Sequence, residues 1–347
     1  MDENNKTRIV KRETIVKSSI GVFVSNLILV IVGIITGFIV PNVLGVLQYG
    51  YFETFVLYAT YTTFLQLGFI NGIYLIFGDK NLEDLDKKLF RMFFKFFFAL
   101  ELTISCVLLI TGLFLLKVNI LISEILLFLA IYNLATNIMT YFQLLSQITM
   151  RFKEFSSRTI FQSIFKIIII VITLVVYFVF GRKDVNYLLY TILYVGLFVG
   201  LALWYIFTYK DIVFGESYKI REHKKEIFGL FKTGFPLLVA DVIVVFIYKV
   251  DKQVVDLGFS KTVFSYFAFA YSVIALVTTL INSLKTTIYP VLKRSSNKLE
   301  EQTQSFFSVV LHGSAFLMAS YFVIAFIINR FIYCCSTFTT TSTKHCW

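Results

Sequence analysis

The chain has 347 residues, of which 58% are hydrophobic and 15% are charged, and its mean hydropathy is +0.80. Soluble domains are about 45–50% apolar and roughly 25% charged, so this composition excludes an ordinary water-soluble protein. In such a chain the formal net charge of +11 raises the question of which loops hold the basic residues.

Nine apolar segments are long enough to cross a membrane as helices, which requires about 20 residues each. We predict spans at residues 18–40, 54–78, 92–116, 125–150, 159–180, 185–209, 234–258, 262–284 and 302–329. None alternates with period two, which argues against a transmembrane barrel. The first is too long for a signal peptide, and no small-residue cleavage site follows it. These spans predict an all-α polytopic membrane protein.

The basic residues predict the orientation of these spans. The amino-terminal tail and the loops on its side hold 21 Lys and Arg, including Arg158, and the loops on the opposite side hold six, including Lys261. Since cytoplasmic loops carry the excess of basic residues, we expect a cytoplasmic amino terminus in the cell membrane. The same residues form no continuous stripe with exposed aromatics, so we expect no binding to nucleic acid.

The longest predicted cytoplasmic connection, residues 210–229, divides the chain into two parts. We predict a first six-helix bundle at residues 1–225 and a partial second bundle of three helices at 226–332. A weak repeat at an offset of 215 residues, which aligns Asn26 with Asp241, is as compatible with chance as with duplication. The polar residues 333–347 hold three of the four cysteines, and we interpret them as a truncated or frameshifted end.

Charged side chains inside the predicted spans are candidate functional residues, because exposing them to lipid is costly. On a helical wheel of the seventh span, Asp241, Lys249, Lys252 and Asp256 share one face within about 80°, and Asp251 points away. A shared polar face favours a water-filled cavity wall. The alternative is that Lys252 and Asp256 pair at i,i+4 and extend to the interface.

Glu101 lies near the middle of the third predicted span without a cation one turn away. Facing lipid it would be protonated, and facing a cavity it would relay protons or meet a cation. We expect Lys166 and Lys285 to extend to the cytoplasmic interface and Glu53 to be solvated. Several amides are of the type that forms hydrogen bonds between helices: Asn26, Asn71, Asn133, Asn137 and Gln143.

Other sequence features have simpler interpretations. Gly33 and Gly37 form a G-x-x-x-G pattern of close helix packing, and we expect Pro236 and Pro290 to flank the ends of their helices. Nucleotide-binding, hydrolase and metalloprotease motifs are missing, so we expect no enzyme and no cofactor. The spacing of the cysteines and histidine at the end matches no zinc pattern.

Two stretches of the sequence resemble bacterial polysaccharide and oligosaccharide flippases, of the multidrug/oligosaccharidyl-lipid/polysaccharide exporter superfamily. The first contains VPNVLGVLQYGYFETF at residues 40–55 and LQLGFINGI at 65–73. The second contains FKTGFPLLVAD at 231–241, KVDKQVV at 249–255, FSYFAFAY at 264–271 and IYPVLKR at 288–294. The order and spacing of these motifs agree over about residues 15–300. Members usually have more helices than are predicted here.

The resemblance implies two six-helix bundles around a central cavity, which work by alternating access. The cargo would be an undecaprenyl-pyrophosphate-linked oligosaccharide, and Lys249 and Lys252 match the family's charged region. The implied partners are membrane lipid, the lipid-linked glycan, and a glycan polymerase or glycosyltransferases of the same pathway. The driving force would be a proton or sodium gradient, with Asp241 or Glu101 as carriers. Alternatives are a drug/cation antiporter of the same superfamily, a membrane glycan polymerase or ligase, and an inactive remnant.

Overall fold

The computed structural model of the chain describes residues 3–78, 85–149, 151–179 and 185–272, with side chains described at Gly21 and from Val24 onward. The helices are α1 (Glu3–Thr62), α2 (Phe69–Phe77), α3 (Lys87–Leu115), α4 (Ile120–Ile148), α5 (Phe152–Val179), α6 (Tyr187–Thr208), α7 (Lys210–Val213) and α8 (Lys224–Gly258). Residues 261–272 are also helical and are named α9. These ranges contain no strand, which confirms the predicted all-α class.

Six helices of the described ranges are long and apolar enough to cross a membrane. They are Val24–Thr62, Lys87–Leu115, Ile120–Ile148, Phe152–Val179, Tyr187–Thr208 and Lys224–Gly258. The predicted span 302–329, the tail 333–347, Pro290 and Lys285 lie outside the described residues. The described residues all belong to one compact unit, Met1–Pro290, and the division into two bundles stays a prediction.

Side-chain caps set the amino-terminal ends of three spanning helices. The Asp86 carboxylate accepts hydrogen bonds from the backbone of Lys88 and Leu89 at the start of α3, at 2.9 and 3.3 Å. Asn119 caps α4 through the Ile122 N–H at 3.1 Å, and Asn186 caps α6 through the Leu188 N–H at 3.0 Å. Such caps satisfy donors that have no partner within the helix, so each helix begins at a defined residue.

The first predicted span does not end before Pro41. The helix continues through Pro41 to Gly45, where φ is 74° and ψ is 165°, and it resumes from residue 46 to Thr62. Proline removes one backbone donor from the helix, whereas the positive φ at Gly45 is a conformation that only glycine adopts without strain. The bend in α1 therefore lies at Gly45, five residues beyond the predicted end.

The second predicted span, residues 54–78, is two helices rather than one. The helix ends at Thr62, residues 63–68 form turns, and α2 begins at Phe69. Leu67 and Gly68 have positive φ values of 55° and 84°, which no α-helix accommodates. We call residues 63–68 the helix break. The prediction failed here because an apolar run does not reveal a local change in backbone conformation.

The seventh predicted span begins earlier than expected. Helix α8 starts at Lys224, ten residues before the predicted start, and Pro236 lies inside it. The interpretation of Pro236 as an end signal was therefore wrong. A proline within a helix leaves one carbonyl of the preceding turn without its usual donor and favours a bend there.

Aromatic rings fill much of the core between these helices. The rings of Phe69 on α2 and Phe97 on α3 stack with centroids 5.5 Å apart. Phe142 on α4 stacks on Tyr209 at 5.3 Å, beside the end of α6. Aromatic pairs of this kind contribute about 0.5–1.5 kcal/mol beyond the burial of their area. These contacts pack α2 against α3, and α4 against the end of α6.

Candidate functional site

Three glycines bring the helix break into backbone contact with α8. A Cβ added to Gly234 would lie 1.9 Å from the Gly68 carbonyl oxygen and 2.4 Å from the Gly72 nitrogen. A Cβ added to Gly72 would lie 2.1 Å from the Leu230 carbonyl oxygen. Small residues at such positions let two membrane helices approach closely.

The glycine pair that the sequence analysis singled out is not the one in this contact. A Cβ added to Gly37 would only touch the Ser272 hydroxyl, at 3.9 Å. The close contact uses Gly68 and Gly72, which form a second G-x-x-x-G within the LQLGFINGI motif. The spacing alone does not identify this pair, because Gly196 and Gly200 have the same spacing and a Cβ added to either has nothing within 4 Å.

Amide side chains link the helix break to Asp241. The Asn71 side-chain amide donates to the Asp241 carboxylate at 3.3 Å, and the Gln66 amide donates to Asn71 at 3.5 Å. The Gln66 carbonyl oxygen also accepts from the Ile70 backbone N–H at 2.9 Å, which caps the start of α2. Asp241 itself is exposed. It therefore lies at the junction of α8 with a discontinuous helix, where transporters commonly place ion and substrate sites.

A buried set of charges lies where the carboxyl-terminal end of α8 meets α1 and α9. Lys252 Nζ lies 2.6 Å from Glu53 Oε2, and the two side chains are 4% and 12% exposed. Lys261 Nζ lies 2.6 Å from Asp256 Oδ1, which also accepts from the Thr54 hydroxyl at 2.7 Å. We call Glu53, Thr54, Lys252, Asp256 and Lys261 the charged cluster.

The partners in the charged cluster differ from those expected. Lys252 and Asp256 do not pair with each other at i,i+4, since each has a partner on another helix. Glu53 is partly buried rather than fully solvated, and Lys261 lies against Asp256 rather than in a free loop. Glu53 and Lys261 were missed because a helical wheel of one span contains no information about neighbouring helices.

Lys249 lies beside the charged cluster without a carboxylate partner among the described residues. Its Nζ atom lies 4.4 Å from the centroid of the Tyr271 ring, and Lys252 Nζ lies 5.8 Å from the same ring. The Tyr271 hydroxyl donates to the Tyr248 carbonyl oxygen, which fixes the ring. Because Lys252 and Asp256 are neutralised by their partners, the ammonium of Lys249 remains as local positive charge.

Asp251 lies between Lys249 and Lys252 in the sequence of α8. It is exposed, and its carboxylate accepts from the backbone N–H of Lys252 at 2.7 Å. The structure therefore brings Lys249, Lys252 and Asp256 together, whereas Asp251 forms no ion pair with any side chain of the described residues.

Glu101 is buried between α3 and α4, apart from the charges of α8. Its Oε2 atom accepts hydrogen bonds from the amides of Asn133 and Asn137, both at 2.8 Å. Its Oε1 atom has no hydrogen-bond partner among the described residues. Asn137 also lies 3.4 Å from the carbonyl oxygen of Thr62, the last helical residue before the helix break. Glu101 thus connects to the helix break through one amide.

Arg158 is a buried cation that the sequence analysis assigned to a cytoplasmic loop. On α5 its guanidinium donates to Gln162 at 2.8 Å and to the Thr159 hydroxyl at 3.1 Å. It is 5% exposed, and no acidic side chain pairs with it in the part of the chain that the structure describes. Positions 158, 162 and 166 recur every four residues, so Lys166 lies on the same side of α5.

The apolar helices and the ion pairs buried between them define a multi-pass membrane protein with charged side chains inside its helical bundle. Residues 15–296 match the family described as polysaccharide biosynthesis protein. Since the match covers most of the chain, the protein belongs to this family, and its membrane helices support a polysaccharide-related membrane transporter. No curated protein and no solved structure matches the chain.

Proposed function

We propose that the protein moves lipid-linked oligosaccharide units of the undecaprenyl-pyrophosphate type from the cytoplasmic to the outer leaflet of the cell membrane. The observation that carries the proposal is Lys249, a partly buried ammonium without a carboxylate partner in the described part of α8 and its neighbours. A diphosphate group is strongly anionic and pairs well with such a cation.

The arrangement around Lys249 favours an anionic cargo over a cationic one. Both acidic side chains of the charged cluster are already paired, Glu53 with Lys252 and Asp256 with Lys261. The Tyr271 ring contributes about 0.5–2 kcal/mol to the stability of the Lys249 ammonium, but a ring accepts no directional hydrogen bond comparable to a phosphate oxygen. A drug/cation antiporter would need unpaired carboxylates around its cationic cargo at this place. The flippase is therefore the better-supported function.

Discontinuities in the helices support a mechanism of alternating access. Gly45 bends α1, the helix break interrupts the second span, and Pro236 lies within α8. Hinges are usually a few residues at which the backbone departs from regular structure. We propose that rotations at these positions carry the cargo between the two leaflets without bond chemistry. Glycosyltransferases and a glycan polymerase would then act before and after transport.

Replacing Lys249 with Ala is expected to reduce surface glycan in a flippase-deficient strain that carries this gene. A charge-assisted hydrogen bond contributes about 1.5–3 kcal/mol, which corresponds to a roughly 10- to 100-fold loss of transport. Lipid-linked units should accumulate in the cytoplasmic leaflet, and Lys249→Arg should retain most activity. Lys232→Ala, at an exposed lysine of the same helix, is the matched control. Normal glycan output with Lys249→Ala would overturn the assignment.

The coupling ion is tested at Glu101, which we propose as a proton carrier. Glu101→Gln keeps a carbonyl oxygen for Asn133 and Asn137, so the protein should stay folded while proton-driven transport is lost. Glu101→Leu removes that acceptor and should lower the unfolding free energy by about 1–3 kcal/mol, because two buried amides lose a partner. Thermal unfolding in detergent and glycan output are measured together. Full transport by Glu101→Gln would exclude Glu101 and leave Asp241 as the remaining proposed carrier.

A further inference from the structure

The connection between α7 and α8 is held against the first turns of α3 by basic side chains. Lys87 lies 3.6 Å from Asp211, and Lys88 lies 3.0 Å from Glu216. The hydrogen bond from Lys88 lowers the pKa of the Glu216 carboxyl. Arg91 donates to the carbonyl oxygens of Asp211 and Glu216 at 2.9 and 3.0 Å. The connection is therefore attached to α3 at several points.

One further lysine of α3 holds the middle of this connection. Lys95 Nζ donates to the Ser217 hydroxyl at 2.9 Å and to the Gly215 carbonyl oxygen at 3.3 Å. Gly215 has a φ of 118°, and a Cβ there would lie 3.0 Å from the Arg91 guanidinium. The chain turns at Gly215 and leaves space between α3 and the residues that follow.

That space is a cavity of about 440 Å³. Its cations are Lys95, Lys219 and Arg221, and its apolar wall is formed by Met92, Tyr218 and Ile220. No acidic residue lines it among the described residues. Lys219 lies 3.9 Å from Glu222 but is 82% exposed, and such a surface pair neutralises little charge. The cavity therefore combines three cations with an apolar wall.

The position of the cavity near the end of a spanning helix limits the classes of ligand that can reach it. Met92 and Lys95 lie in the first turns of the spanning helix Lys87–Leu115, so the cavity lies near one end of a helix that is long and apolar enough to cross a membrane. Met92 is fully buried, whereas Tyr218 and Ile220 are exposed. Basic pockets at this level bind lipid headgroups. A volume of this size is also in the range of pockets for small ligands, about 300–1,000 Å³.

We propose that the cavity between α3 and residues 217–221 binds the phosphate of an anionic phospholipid headgroup, with Lys219 and Arg221 as its main cationic contacts. Such a site is separate from the proposed transport site at Lys249, and it rests on the described cavity rather than on any cargo. A bound headgroup bridges α3 and the connection to α8. It would thereby stabilise the arrangement of these two elements.

The test is the thermal stability of the full chain in vesicles of phosphatidylcholine with increasing phosphatidylglycerol. Wild type should gain stability with phosphatidylglycerol, and Lys219→Ala/Arg221→Ala should weaken the apparent affinity roughly tenfold or more. The matched control is Lys224→Ala/Lys225→Ala, which removes the same charge from exposed positions outside the cavity. If the alanine pair fails to fold, Lys219→Gln/Arg221→Gln replaces it.

Three results would overturn the proposal. The first is that the wild-type protein gains no stability with phosphatidylglycerol. The second is that both double variants lose the same apparent affinity for phosphatidylglycerol, which would indicate nonspecific electrostatic attraction to the surface. The third is the same gain with inorganic phosphate or glycerol phosphate in phosphatidylcholine vesicles, which would make the ligand a soluble phosphate compound. Glycan output of the Lys219→Ala/Arg221→Ala variant is measured separately, so this outcome does not depend on the Lys249 experiment.

Discussion

Gly234→Ala is expected to separate α8 from the helix break and to destabilise the protein strongly. The new Cβ would lie 1.9 Å from the Gly68 carbonyl oxygen, so the two backbones must move apart by about 1 Å or more to restore van der Waals contact. Overpacking of this kind costs about 1–3 kcal/mol, and neither neighbour is a side chain that can rotate away. The measurement is the unfolding midpoint in detergent.

The matched control for this prediction lies on the same helix. Nothing lies within 4 Å of a Cβ added to Gly229, and alanine is favoured over glycine in a helix by about 0.5–1 kcal/mol. Gly229→Ala should therefore leave the midpoint unchanged or raise it. A Gly234→Ala protein as stable as the Gly229→Ala protein would contradict the close packing of α8 on the helix break.

Lys252→Met is expected to lower the unfolding free energy by about 3–5 kcal/mol, because it leaves the Glu53 carboxylate buried without its partner. The two charged atoms lie 2.6 Å apart, and the side chains are 4% and 12% exposed, so water does not replace the lost ammonium. The remaining group must either stay charged at high cost or become protonated. Chemical unfolding with tryptophan fluorescence measures the difference.

A second substitution shows whether the cost comes from the unpaired carboxylate. Glu53→Leu/Lys252→Met replaces both charges with apolar groups, and buried ion pairs replaced in this way are often neutral or more stable. The double variant should recover most of the stability that Lys252→Met loses. If the double variant is as unstable as the single one, Glu53 does not carry the effect and the pair is not a unit.

The carboxyl-terminal ends of α3, α4, α5, α6 and α8 could be predicted to within two residues, whereas their predicted starts differ from the observed ones by two to ten residues. Residues 92–116 were predicted for α3 and 185–209 for α6, and the helices are Lys87–Leu115 and Tyr187–Thr208. Lipid supplies no hydrogen bonds to the backbone, so a long apolar run has to form a helix. Buried hydrogen bonds between helices were also foreseen for Asn133 and Asn137, because isolated amides in apolar helices need partners.

The candidate site could be predicted only as a set of residue types. Asp241, Lys249, Lys252 and Asp256 were recognised as charges on one span, but their partners Asn71, Glu53 and Lys261 lie on other helices. Glu53 and Lys252 are 199 residues apart in the chain. Helical periodicity relates only residues of the same helix, so it cannot predict which side chains pair at such separations in the chain.

The hydropathy of the chain determined by itself that the chain spans a membrane as helices, and the distribution of the basic residues between the loops predicts its orientation. Only the tertiary structure decided where those helices are interrupted and which charges are neutralised. The packing of the helix break on α8 depends on the contact of Gly68 with Gly234. The positive charge of Lys249 is left without a carboxylate because Glu53 pairs with Lys252 and Asp256 pairs with Lys261. The physical reason is that hydrophobicity acts on each segment alone, whereas packing and ion pairing exist only between segments.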